Sequence, residues 1–146
     1  MYALTPRMLS LALLLVTDTA CRRSPAAPAA PPALALAGEW TLADLGAQPA
    51  PPGSAGRRAT LQFDADSSRV SGFAGCNRLS GGYTTHGDSL TFGPAAMTRM
   101  ACADGMELER RLASALTATR RFRVTSSELT LLGAAGPVAR FTRSTP

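Results

Sequence analysis

The chain has 146 residues, a net charge of +5 and no lysine, so all fifteen basic residues are arginine. That length holds one domain. An apolar share of 45% suffices for a core, but aromatics at 5% leave it to Leu, Val, Ala, Met and a few Phe. The arginines are scattered, and no helix carries a basic stripe interleaved with aromatics. This argues against a nucleic-acid partner and leaves anionic partners such as lipid headgroups or acidic polysaccharide.

Residues 1–20 have the layout of a secretory signal. Arg7 supplies a positive start, and Met8–Val16 is an apolar run too short to span a bilayer, which needs about 20 residues. Thr19-Ala20-Cys21 resembles a bacterial lipoprotein processing site, with Cys21 as the lipidated new N-terminus; Asp18 departs from the aliphatic residue usual there. Ordinary signal-peptidase cleavage after Ala20 is the alternative. Lipidation with two or three acyl chains would anchor the chain stably, whereas one chain binds only marginally. Arg22-Arg23 in place of an Asp after the cysteine favours, by the same resemblance, the outer membrane facing the periplasm.

Residues 21–37 are expected to be a linker. Ser24–Ala37 is rich in Pro and Ala and has no charge, as in a semi-stiff tether. Its 14 residues, at about 3.1 Å each in a polyproline-like state, would reach roughly 40 Å.

A folded domain is expected over residues 38–143. Glu39-Trp40-Thr41-Leu42 reads as a first strand, and the Pro- and Gly-broken stretch Gly46–Gly56 as a surface loop. Ala59–Phe63 alternates apolar and polar, as a half-buried strand does. With the turn Asp64–Ser68 and the strand Arg69–Ala74 it makes a hairpin. Gly81–Thr85 and Ser89–Phe92 flank a turn at His86-Gly87-Asp88, and Gly93-Pro94 is expected to end that pair before Ala96–Met100. One helix follows. Asp104 is placed to cap it and Glu107 to reach back to the cap. Leu108, Leu112, Ala115 and Leu116 form one apolar stripe, whose plain reading is core packing. Arg120 and Arg121 near its end suit the helix dipole. Short strands at Phe122–Thr125, Glu128–Leu132 and Val138–Thr142 close the chain. The fold class is α+β: a small antiparallel, barrel-like sheet with one helix.

Three stretches go further. Gly72-Phe73-Ala74-Gly75-Cys76-Asn77-Arg78 is followed by Gly81-Gly82-Tyr83. Thr98-Arg99-Met100-Ala101-Cys102 is followed by Met106-Glu107-Leu108-Glu109 and Leu112. Glu39-Trp40-Thr41-Leu42 opens the domain. In this order and spacing they resemble the META (HslJ-like) domain, over Gly38–Thr142. The resemblance implies a small antiparallel β structure with a helix, an envelope setting often as a lipoprotein, no established catalysis, and for some members a link to stress or antibiotic tolerance.

The same residues also read as structure. Gly72, Gly75, Gly81 and Gly82 permit bends or close approach. Asn77 is a candidate for bonding its own backbone in a turn. Trp40 and Tyr83 are large core anchors with a polar handle. Arg78, Thr98, Arg99, Met100 and Glu107 complete the motif set. With Cys21 used for lipid, Cys76 and Cys102 are an even pair in an oxidising compartment, which predicts a disulfide; two free buried thiols are the alternative.

No catalytic residue, cofactor or metal site is expected. The single histidine, His86, sits in a turn, there is no G-x-S-x-G elbow, and the Asp64/Asp66 pair reads as an exposed turn. The function expected is a non-enzymatic envelope lipoprotein acting as a binding or stress-protective module, with an acyl chain or apolar peptide as candidate ligand. A protein-directed inhibitor or chaperone-like partner in envelope assembly is the alternative.

Overall fold

In chain order, the computed structural model, which describes residues 35–144, contains β1 (Gly38–Leu45), β2 (Gln48–Pro49), a single 3₁₀ turn (Ser54–Gly56), β3 (Thr60–Asp64), β4 (Arg69–Phe73), β5 (Arg78–His86), β6 (Ser89–Met97), α1 (Met106–Ala118), β7 (Arg121–Val124), β8 (Glu128–Gly133) and β9 (Gly136–Arg143). Every strand pair is antiparallel. The nine strands form one sheet in which β2 pairs only with β1, and β1 also pairs with β9, so the other eight close into a ring. Closure pairs nearly every edge, which disposes of the open-edge problem of flat sheets.

The period-2 pattern sets which side chains enter the ring. In β3, Leu61 and Phe63 point in while Gln62 and Asp64 point out; in β8, Leu129 and Leu131 point in. Trp40, Leu42, Val70, Leu79, Tyr83, Leu90, Phe122 and Phe141 join them in one core. Phe63 and Tyr83 meet edge to face, with centroids 5.2 Å apart. The apolar stripe of α1 (Leu108, Leu112, Ala115 and Leu116) is buried in the same core, as its spacing predicts. The helix packs against β1, β6, β8 and β9. At its end Arg120 donates to the carbonyls of Thr117 and Thr119, both at 2.8 Å.

Four local readings are corrected. Gly93-Pro94 does not end a strand: β6 runs through to Met97, and the two residues are taken up as a bulge opposite Gly82, between the pairs Gly81↔Ala95 and Tyr83↔Phe92. The loop Gly46–Gly56 contains the short strand β2 and the 3₁₀ turn. The residue at the start of α1 is Gly105, not Asp104, with φ +92° and no side-chain cap. A Cβ at Gly105 would collide with the Gly75 carbonyl, so close backbone approach has displaced capping chemistry there. The last three residues of the expected linker are ordered against the domain: Leu36 is fully buried, and Trp40 Nε1 donates to its carbonyl at 2.8 Å.

Candidate functional site

Two features compete for attention, a polar lock beside the disulfide and an apolar crevice beside β6. The lock grows from the β4–β5 connection. Gly75, with φ +122°, lets the chain reverse, and the Ala74 N–H donates to the Asn77 carbonyl at 2.8 Å. The reversal buries Cys76 and Asn77, both 2% exposed. Cys76 is disulfide-bonded to Cys102, which lies in the segment leading to α1.

Asn77 uses every polar atom it has. Its Oδ1 accepts from Met100 N–H at 2.7 Å and from Thr98 Oγ1 at 2.9 Å. Its Nδ2 donates to the Met100 carbonyl at 3.1 Å and to Glu109 Oε1 at 3.2 Å. Its backbone N–H donates to Glu109 Oε2 at 2.7 Å. A buried amide so satisfied fixes three segments against one another, and the carboxylate partner strengthens the bonds it accepts. The Asn77 side chain therefore bridges segments and does not bond its own turn.

Of the motif residues named from sequence, Asn77, Thr98, Met100 and Gly75 meet in this lock, beside Cys76 and Cys102. Thr98 also accepts the Arg78 backbone N–H, at 3.1 Å. Glu107 does not take part: it is exposed and pairs with Arg110 on the helix surface. Glu109, two residues on, is the working carboxylate. It adjoins Glu107 in the same motif stretch, so only its position relative to the true helix start distinguishes it. Arg99 and the Arg78 side chain are exposed. Met100 and Met106 are exposed by 59% and 46%, unusual for large apolar side chains.

Trp40 and Tyr83 are the expected core anchors. Arg143 stacks on Trp40, its Cζ 4.1 Å from the ring centroid. Tyr83 Oη donates to the Asp64 carbonyl at 3.3 Å, and burial together with the Asp64 charge pushes its phenol above the ordinary range. Asp64 holds its turn by accepting from the Asp66 and Ser67 N–H groups at 3.0 and 3.3 Å. Hydrogen bonds from Ser67, reinforced by Asp66, lower its carboxyl below the usual value. Gly72 lies flat against β3, where a Cβ would strike the Thr60 carbonyl, whereas Gly82 has room for one.

The crevice arises where the ring is thinnest. β6 pairs with β7 only at Ser89↔Arg121, so the rest of its outer edge is left without a strand, and α1 covers the gap. Between them lies a cavity of about 220 Å³. Val70, Leu79, Phe92, Met97 and Leu116 give it an apolar lining, and Gly81, Gly82 and Gly93 keep it open. That is below the roughly 300–1,000 Å³ of pockets for drug-sized ligands. It suits one acyl chain or one or two apolar side chains.

Among the described residues no group of three His, Cys, Asp or Glu side chains converges as metal ligands would, and no helix is long and apolar enough to cross a membrane. His86 ends β5 opposite Ser89 and is exposed. Cys21 and the signal-like leader lie outside the described residues.

Known structures share this architecture. An NMR structure of a protein from Burkholderia xenovorans matches with a TM-score of 0.64 and 28% identity, over 85% of this chain and 99% of that one. A second NMR structure matches with a TM-score of 0.57 and 26% identity, over 73% and 88%. A crystal structure of a DUF4847 family protein from Bacteroides vulgatus shares the fold, with a TM-score of 0.52 and 13% identity over 75% and 94%. No curated protein matches in sequence. The family model described as META domain matches residues 33–146, the ring, the helix and the Asn77 lock included. This chain belongs to the META domain family.

Proposed function

We propose that this chain is an exported, lipid-anchored, non-enzymatic binding module whose META domain takes a single apolar chain in the crevice between β6 and α1. The observation that carries the reading is the seam itself. A ring closed everywhere else by strand pairs is bridged there by a helix face over a largely apolar, glycine-floored cavity. Such a site recognises shape and apolarity and offers no reacting group, in keeping with a carrier or sensor.

Native mass spectrometry of the purified chain, with thermal shift on adding fatty acids, tests it. A co-purified acyl species and a raised melting temperature are expected, both lost on Ala113→Phe, which fills the crevice from the helix side. No bound species and no shift would sink the reading. Anchoring is tested separately by intact mass: processing at Cys21 adds diacylglyceryl and an acyl chain to residues 21–146. A role in stress or antibiotic tolerance predicts that deleting the gene sensitises the cell and that the Ala113→Phe chain does not rescue it.

The exposed pair Met100 and Met106 favours one second reading, a protein-directed inhibitor or chaperone-like partner, because flexible thioethers suit adaptable protein contacts. Cross-linking from envelope extracts that depends on Met100 and Met106 but not on the crevice would select it.

A further inference from the structure

The outer face of β3, β4 and β5 brings polar side chains and arginines together in register. Strand register lays Gln62, Ser71 and Ser80 side by side in one outward row, and Thr60, Phe73 and Arg78 in the next. Thr60, Gln62, Ser71, Ser80 and Phe73 floor a shallow basin of about 430 Å³, with Arg57 and Arg78 among its walls. Arg69 adjoins it and donates to Ser80 Oγ at 3.0 Å. Arg57 is held in place over Phe73, its Cζ 4.0 Å from the ring centroid. This contact explains why Phe73, facing outward, is nonetheless buried. Among the described residues the ion pairs involve Arg110, Arg121 and Arg140, and none involves Arg57, Arg69 or Arg78. Glu39 on the β1 side and Asp64 opposite Arg69 are the nearby carboxylates, and Asp64 is turned into its own loop.

We infer that this face docks on the phosphate headgroups of an anionic lipid bilayer, with Arg57, Arg69 and Arg78 as the phosphate contacts. Guanidinium groups bind phosphate oxygens in pairs, and the serine and threonine hydroxyls beneath add donors. The chain enters the sheet at Gly38, which pairs with Phe63, itself paired with Val70 beside Arg69. At about 4.8 Å per strand, the entry point lies about 10 Å from β4. A membrane held by the N-terminal tether is therefore within reach of this face. That orientation rests on the proposed anchor, whereas the headgroup chemistry does not.

The test is flotation of the full chain with vesicles of phosphatidylglycerol and phosphatidylcholine against vesicles of phosphatidylcholine alone. The leader and Cys21 are common to all variants, so the ratio isolates the headgroup contribution. Each arginine at an anionic surface contributes roughly five-fold, so Arg57→Gln/Arg69→Gln/Arg78→Gln should lower the preference for anionic vesicles about a hundred-fold at low salt. A charge-matched control, Arg99→Gln/Arg110→Gln/Arg123→Gln, should lose far less. Because Arg57 also covers Phe73, Arg69→Gln/Arg78→Gln is measured beside the triple variant, with an expected loss of about twenty-five-fold. Equal losses in both triple variants would reduce the effect to net charge and overturn the docking face. So would an unchanged preference in the Arg69/Arg78 variant, or binding of inorganic phosphate without any preference for anionic vesicles. An unlipidated Cys21 with the preference intact would remove the anchor and leave the docking face standing.

Discussion

Asn77 and Glu109, 32 residues apart in sequence, are joined by two hydrogen bonds, from the Asn77 backbone N–H at 2.7 Å and from its Nδ2 at 3.2 Å. This relationship ties the β4–β5 reversal to the first turn of α1 and so holds the helix over the seam in the ring. Asn77→Ala strands the Met100 N–H and leaves Glu109 only the backbone N–H of residue 77, and is expected to cost about 2–4 kcal/mol in urea unfolding. Glu109→Ala should cost a similar amount, since it orphans the buried Asn77 N–H. Glu107→Ala should change stability by no more than about 0.5 kcal/mol, because its pair with Arg110 is exposed.

The disulfide acts on the same region by a different route. Cys76 and Cys102 are 26 residues apart, and cross-linking them removes loop entropy from the unfolded chain. The chain-entropy model puts this at about 3–4 kcal/mol. Cys76→Ser/Cys102→Ser should shift the unfolding midpoint to lower denaturant accordingly, and a reductant should shift the wild type to the same place. No shift in either would mean that the Asn77 lock suffices alone.

Arg143 fastens the N-terminal approach to the ring. Its Nη1 and Nη2 donate to the carbonyls of Ala37 and Ala35 at 2.9 and 3.1 Å, its Nε donates to the Ser126 carbonyl at 2.8 Å, and its plane covers Trp40. Arg143→Lys cannot reproduce this fork and stack. It should raise amide exchange at residues 35–37 and lower stability by about 1–2 kcal/mol, even though charge is kept.

Gly75 has no substitute. Its φ of +122° disfavours any side chain, and a Cβ there would lie 2.8 Å from the Gly105 carbonyl and 3.0 Å from the Leu108 side chain. Gly75→Ala should cost more than about 2 kcal/mol and show as a large fall in melting temperature. Gly87→Ala, in an open hairpin turn with φ +59°, meets no neighbour and should cost about 1 kcal/mol.

Tyr83 gives the domain an alkaline limit. Burial first, and the Asp64 charge second, raise its phenol above the ordinary value of about 10. The folded chain thus holds this proton more tightly than the unfolded chain. The resulting stability is complete below about pH 10 and is lost as pH rises through the folded value. Tyr83→Phe should lose about 1 kcal/mol at neutral pH, with the hydrogen bond to Asp64, and should flatten the decline in stability above pH 10.

Local pattern carried much of this protein. The stripe Leu108, Leu112, Ala115 and Leu116 wrote out a helix, and the alternation in Ala59–Phe63 and Arg69–Ala74 wrote out a hairpin, because periods of 3.6 and 2 are properties of neighbouring residues. The motif around Gly75-Cys76-Asn77 and Thr98-Arg99-Met100 identified the family, and the Cys76–Cys102 pair followed from an even count and the expected compartment. What pairs with what was decided only in three dimensions. The closure of β1 on β9, the single-pair seam between β6 and β7, and the absorption of Gly93-Pro94 into a bulge all depend on partners far away in sequence. So does the choice of Glu109 over Glu107, the carboxylate that the capping pattern favours. The helix begins one residue later than Asp104 implies, with Gly105 against Gly75, and the packing of its buried stripe Leu108, Leu112, Ala115 and Leu116 on the sheet sets its rotation, so that Glu109 meets Asn77 and Glu107 faces water.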